Sequence, residues 1–237
     1  MTEIHGFCDE KFTVARQEFL KNFDEGLDVG ASFSVTLNGK YIIDIWGGYA
    51  DADKSRSWEE NTIVNVWSTT KIMTTICTLM LVDQGLLNLD APVAKYWPEF
   101  AQAGKELLPV RYLLSHTAGL SGFDRTPRTK VLYNWEKITS ILAAQKPWWK
   151  PGTKSGYHLV TFGYLLGELI RRITGKTVGT YFKENVAGPL KADFYIGLSE
   201  EHDHRVADLI PPPQIDLKSL GDVDPNSIGM RSLTSAL

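Results

Sequence analysis

Ser68 and Lys71 are the residues of this 237-residue chain whose types and spacing point most directly to chemistry. An alkyl hydroxyl is a poor nucleophile near neutral pH and needs a base beside it. In Ser68-Thr69-Thr70-Lys71 the two side chains stand three apart, so on a helix they share one face, a turn from each other. A serine in the first turn also sits among free backbone N–H groups, which can hold a developing oxyanion. The lysine must be neutral to accept a proton, and burial favours that state by lowering its pKa. The bland alternative is an N-cap serine followed by a solvated lysine. What surrounds the tetrapeptide decides between them.

Ser68 to Gln84 reads as one helix, ended by Gly85 at its C′ position, and Ile72 to Val82 carries no charge on any face. Such a helix is expected to be buried all round, which would give Lys71 an apolar setting. Upstream, Asn38-Gly39 separates two β-rich runs, residues 32–37 and 40–46, and predicts a tight hairpin because both turn residues need positive φ. Gly47-Gly48 is expected to break the second strand. Lys11 to Phe23 places Phe12, Ala15, Phe19 and Phe23 near one helical face. Downstream of Leu89 the pattern becomes short helices between Pro and Gly breakers, with pieces at 112–115 and 138–142. Thr161 to Thr174 is a second strong helix, and a shorter one follows over 178–185. Pro211-Pro212-Pro213 reads as a rigid extended connector, and residues 232–237 as the opening of a last helix. One hairpin is not a stable sheet, so the sheet is expected to be unfinished.

Composition removes several function classes. A hydrophobic fraction of 43%, 22% charged residues and a net charge of −3 are ordinary for a globular enzyme and leave no basic footprint for nucleic acid. Residues 72–82 are too few to span a bilayer, and the acidic N-terminus does not resemble an export signal, so a cytoplasmic location is expected. The two cysteines, Cys8 and Cys77, form no disulfide framework, and Cys77 reads as a buried free thiol. His202-Asp203-His204 with Asp208 lacks a third ligand at a defined place and reads as a solvated loop, so no metal and no cofactor are expected. Gly47-Gly48 lacks the Lys-Ser/Thr of a phosphate loop. No serine has Gly at both −2 and +2, which removes the nucleophile elbow that would suggest a Ser-His-acid triad through His158.

Val66-Trp67-Ser68-Thr69-Thr70-Lys71, then Asp83 to Val93 and Leu113-Leu-Ser-His-Thr-Ala-Gly-Leu120, resemble the β-lactamase-related serine hydrolases over roughly residues 12–200. That superfamily holds class C β-lactamases, D-amino-acid peptidases and family VIII carboxylesterases. Pro151-Gly152-Thr153 followed by Tyr157 resembles the segment carrying its second motif. The resemblance implies that Tyr157 works with Lys71 on the proton of Ser68, and that His116 is structural. Class C β-lactamases have Tyr-x-Asn here, whereas this chain has Tyr157-His158-Leu159, which is similar to the family VIII esterases. His158, beside Tyr157, is a candidate substrate contact. Pro147-Trp148-Trp149 either walls an acyl pocket or packs under the loop.

The third superfamily motif should lie on a late strand and is missing. Lys154-Ser155-Gly156 mimics it but directly precedes Tyr157. The chain therefore reads as lacking a C-terminal part, with a second copy or a second chain as a possible completion of the sheet. The expected fold is α/β (α+β), β-lactamase/transpeptidase-like, with an antiparallel sheet flanked by helices and a mostly helical domain. The divisions expected are 1–88 with the hairpin and nucleophile helix, 89–200 with the tyrosine motif, and 201–237 returning to the α/β domain. The expected activity is cleavage of small carboxylic esters through an acyl-serine. The alternatives are a β-lactamase or D-amino-acid peptidase, an acyltransferase, and a non-catalytic penicillin-binding-like relative.

Overall fold

A computed structural model describes residues 2–211, 224 and 227–234. They form two compact units, Met1–Val66 with Leu198–Ile215, and Trp67–Gly197 with Asp216–Leu237.

The first unit is a three-stranded antiparallel sheet with one helix. Strand β1 (Ile4–Cys8) precedes helix α1 (Thr13–Asp24), and β2 (Gly30–Leu37) and β3 (Lys40–Gly48) follow, in the order β1-β3-β2. The hairpin turn is the one the sequence predicts, with Asn38 and Gly39 at φ 51° and 75°. β1 is a correction to the hairpin alone: Ile4 pairs with Gly47 and Cys8 with Ile43. Its five residues, Ile-His-Gly-Phe-Cys, carry too little apolar alternation to signal a strand. Gly47 and Gly48 complete β3 instead of breaking it. At Gly48, with φ +82°, an added Cβ would lie 2.3 Å from the Val29 carbonyl, so close strand approach dictates the glycine. Phe19 of α1 packs on Ile43 and Ile45.

Asp51 ties the return segment to this sheet. Its carboxylate accepts from the Ser55 hydroxyl at 2.7 Å and from the Ser55 and Arg56 N–H groups, which hold its pKa below the ordinary range against the opposing effect of burial. Arg56 then donates to the Val206 carbonyl at 3.1 Å and to Asp208 at 2.7 Å.

The second unit is helical. After α2 (Thr70–Asp83) come the short α3 (Arg111–Leu114) and α4 (Thr129–Leu132), α5 (Trp135–Ala144), α6 (Thr161–Thr174), α7 (Val178–Phe182), α8 (Gly188–Leu190) and α9 (Ile228–Thr234). Between α7 and α8 the chain winds as a π turn, Lys183–Ala187, where a continuing helix is expected from the pattern. The core lies between α2, α5 and α6, with Cys77, Leu81, Leu142, Leu165 and Leu169 fully buried. α2 therefore groups with the helical unit, which begins at Trp67. Nor is α2 buried all round: Ile72, Ile76 and Leu79, a stripe at i, i+4 and i+7, are 57%, 37% and 44% exposed. An all-apolar helix conceals which of its faces is covered.

Among the described residues of this unit, Lys105 and Glu168 are buried charged groups and both are satisfied. Lys105 donates to the carbonyls of Gln102, Ala143 and Gln145 at 3.0, 2.9 and 2.6 Å, closing the C-terminus of α5. Glu168 of α6 accepts from Trp135 Nε1 at 2.7 Å and from Arg171 and Arg172 at 3.1 and 2.6 Å. Among the described residues no helix is long and apolar enough to cross a membrane. Pro212 and Pro213 of the expected connector, and residues 235–237 of the last helix, lie outside the described residues.

Candidate active site

Ser68 lies in a 3-10 turn, Trp67–Thr69, that runs into α2, so the regular helix begins at Thr70, two residues later than the sequence predicts. Trp67 has φ +47°, a left-handed conformation that costs a non-glycine residue about 1–2 kcal/mol. Strain of this kind persists only where the surroundings impose it, and here it sits directly before the serine. The turn leaves Ser68 exposed to solvent, with Lys71 half-buried behind it.

Lys71 Nζ lies 3.1 Å from Ser68 Oγ and donates to the Leu159 carbonyl at 2.9 Å. It also sits 4.8 Å from the centre of the Tyr157 ring. Burial raises the Tyr157 pKa, but hydrogen bonds to Ser68 and Lys71 and the lysine charge outweigh it and hold the phenol below its ordinary value. The three residues thus meet, although 86 positions separate Lys71 from Tyr157 in a 237-residue chain. The geometry gives a hydroxyl, a proton acceptor biased towards its charged form, and a cation touching both. Such a set can transfer a serine proton while the oxygen attacks a carbonyl. The apolar burial expected around Lys71 is incomplete, and the lysine acts as a donor to two oxygens.

What brings Tyr157 to the serine is the segment 116–121. The His116 carbonyl accepts from Gly156 N–H at 3.0 Å, and its Nδ1 accepts from His158 N–H at 3.1 Å. Thr117 O accepts from Gly152 N–H, Gly119 O from Trp148 N–H, and Leu120 O from the Thr161 hydroxyl at 2.6 Å. Residues 148–161 are thereby strapped to a second loop at five points. His116, at φ +60°, turns both its carbonyl and its ring towards that strap. Its ring packs 4.8 Å from Tyr157 and 5.2 Å from Phe162. Burial, with the Lys71 charge, lowers the His116 pKa, which suits a neutral ring accepting at Nδ1. Lys154-Ser155-Gly156 belongs to the strap and not to a strand.

Three candidate substrate contacts take other places. His158 is fully buried, and its Nδ1 meets the Gly156 carbonyl at 2.7 Å. Trp149 is buried, with its ring against Gly156. Trp148 is held by Asp124, which accepts from Nε1 at 2.6 Å, and by the Arg231 guanidinium 4.0 Å above the ring. None of the three lines the hollow at Ser68. That hollow, of about 330 Å³, is walled by residues the sequence did not single out, including Phe162, Val160 and Gly163. They belong to the start of α6, and the phase of an amphipathic helix does not tell which end faces a cleft.

His202 and His204 stand in a 3-10 turn, Glu200–Arg205, and Asp208 is engaged by Arg56. Among the described residues no three His, Cys, Asp or Glu side chains gather as a metal site.

Comparison with known proteins adds to this geometry. The family model described as Beta-lactamase matches residues 19–237. The chain is 36% identical over 214 residues to the esterase/beta-lactamase LipL of Mycobacterium tuberculosis, covering 90% of this chain and 49% of LipL. It is 30% identical to esterase EstB of Burkholderia gladioli, covering 71% of this chain and 48% of EstB. A crystal structure of a family VIII carboxylesterase superposes with a TM-score of 0.84 at 46% identity, covering 88% of this chain and 58% of that one. A penicillin-binding protein homologue from Caulobacter crescentus gives 0.87 at 40% identity, covering 90% and 57%. The chain spans about half the length of the curated relatives it matches.

Proposed function

The chain belongs to the Beta-lactamase family and has its β-lactamase/transpeptidase-like fold, and from that premise we propose that it hydrolyses carboxylic esters through an acyl-serine intermediate. The observation that carries this reading is the contact of Lys71 Nζ with Ser68 Oγ at 3.1 Å beside a Tyr157 phenol whose pKa is lowered. Ser68 Oγ attacks the ester carbonyl and its proton passes to Tyr157, with Lys71 stabilising the charge that results. The oxyanion forms at the start of α2, where the Ser68 N–H is a donor. The carbonyl re-forms, the alcohol leaves and takes the proton, and water repeats the sequence to release the carboxylic acid. The second residue after Tyr157 is Leu159, which offers the ligand an apolar side chain and spends its carbonyl on Lys71. A lactam amide finds no side-chain amide there, which favours esters. A cytoplasmic location, where thiols stay reduced, suits the free cysteines Cys8 and Cys77.

The test pairs a p-nitrophenyl ester with nitrocefin, on the protein and on Ser68→Ala. Ester turnover lost with Ser68, and nitrocefin turnover at least about a hundredfold slower, is the expected result. Full ester activity in Ser68→Ala removes the mechanism, and faster nitrocefin turnover moves the reading to lactams. No labelling of Ser68 by an alkyl fluorophosphonate favours a non-catalytic relative.

A further inference from the structure

Gly163 lies in the first turn of α6, and nothing in the packing asks for it. An added Cβ there would meet no atom within 4 Å, unlike Gly167 one turn on, where it would strike the Trp135 ring at 2.7 Å. An exposed glycine inside a helix costs stability relative to alanine, so the vacancy it leaves needs another reason. Gly163 lies on the wall of two adjoining hollows. The smaller holds Ser68, Lys71, Leu159 and Phe162. The larger, of about 620 Å³, is lined by Trp135, Tyr164, Val178 and Ile196. Both share Thr70, Thr74, Val160 and Gly163 as their common wall. The shared wall is short-chained or bare at three of its four positions.

We infer that the larger hollow receives an extended apolar limb of the ester, and that Gly163 keeps the way open from Ser68 to it. The size suits this use, since small-molecule sites run from about 300 to 1,000 Å³. The chemistry suits it too. The Trp135 indole N–H and the Tyr164 hydroxyl are already committed to Glu168 and to the Leu132 carbonyl, so both rings present carbon to the space. Of the two charged residues in the lining, Arg171 is paired with Glu168 and Glu136 is solvent-exposed, which leaves the aromatic and aliphatic walls to an apolar limb. The limb is an alkyl or aryl group of roughly eight or more carbons, on the acyl or the alcohol side. This inference rests on Ser68 as the nucleophile and adds the substrate class.

The experiment measures kcat/KM for p-nitrophenyl esters from acetate to decanoate, and for acetates of 1-alkanols of the same lengths. Each methylene buried is worth about three- to fourfold, so the octanoate-to-acetate ratio in one series is expected to be at least tenfold. Gly163→Phe, and independently Ile196→Trp, should cut that ratio at least about tenfold. A ratio near one in both series, or variants that slow short and long esters equally, overturns the inference. Calorimetric binding of decanoate to Ser68→Ala separates the two readings. Decanoate binding that Gly163→Phe abolishes upholds the hollow even where no ester is turned over. No decanoate binding, with Ser68 still labelled by a fluorophosphonate, overturns the hollow and leaves the nucleophile standing.

Discussion

Acid should weaken this fold before its carboxylates titrate, and His158 is the reason. Its ring is fully buried, Nδ1 meets the Gly156 carbonyl at 2.7 Å, and Nε2 has no hydrogen-bond partner. The neutral tautomer with the proton on Nδ1 fits that setting. Protonation would place an unpaired N–H and a charge in a dry site beside His116. Burial, against the favourable Gly156 contact, pulls the His158 pKa from 6.5 down to about 4. In the unfolded chain the same histidine takes up its proton near 6.5, so between pH 6.5 and 4 the unfolded state binds more protons and stability falls as pH falls. At about 1.4 kcal/mol for each pH unit across that window, the loss reaches about 3 kcal/mol at pH 4. His116, also shifted down by burial, adds in the same direction. Asp51 and Glu168 act lower, because their lowered pKa values place their loss below the ordinary carboxylate range. The assay is urea unfolding at half-unit steps from pH 7.5 to 4. His158→Asn, whose amide can donate where Nδ1 does, should lose stability at pH 7 yet flatten most of the slope between 6.5 and 4.5. A full slope that survives in His158→Asn would refute the assignment.

Three further outcomes test the same physical picture. Tyr157→Phe keeps the ring against His116 and Lys71 but removes the hydroxyl, so ester turnover should fall about 10²–10⁴-fold with unfolding midpoints unchanged, as read by stopped assays beside urea melts. Lys105→Met leaves the carbonyls of Gln102, Ala143 and Gln145 without their donor, and urea unfolding should register a loss of about 3 kcal/mol or more. Gly163→Ala adds a methyl where none meets an obstacle within 4 Å, and should raise stability by about 0.5–1 kcal/mol in the same assay.

The parts of the fold that were legible are those whose signal is local. Asn38-Gly39 forces positive φ at two adjacent positions and so announces the hairpin wherever it occurs. Thr161 to Thr174 carries both a 3.6-residue stripe and a glycine stop, and α6 has the bounds read from the pattern. β1 was hidden because it gains its place by pairing with Gly47 and its neighbours, a partner that no property of Ile4–Cys8 reveals. The apolar run after Lys71 showed a helix but not its exposed stripe, since burial of a uniformly apolar helix is decided by what packs on it. Motif spacing and order single out Ser68, Lys71 and Tyr157, and the fold brings the three side chains together. His158 stands buried behind Tyr157 with its ring on the Gly156 carbonyl, at a tight turn closed by Leu159 N–H on the Tyr157 carbonyl, and its nearness to Tyr157 in sequence does not reveal that placement.

That turn also explains how the site holds its geometry. Tyr157 points to Lys71, His158 points into the core, and Leu159 returns to the cleft with its carbonyl on Lys71 Nζ at 2.9 Å. Three consecutive residues thus supply a phenol, an anchor and an acceptor. The anchor needs a neutral imidazole, because its backbone N–H is spent on His116 Nδ1 and its own Nδ1 on Gly156. Protonating His158 therefore disturbs the residue on either side of it. If the strap is what positions the phenol, catalysis should show an acid limb near the folded-state His158 pKa of about 4. A pH–rate profile whose acid limb is unchanged in His158→Asn would show instead that the limb does not arise from His158.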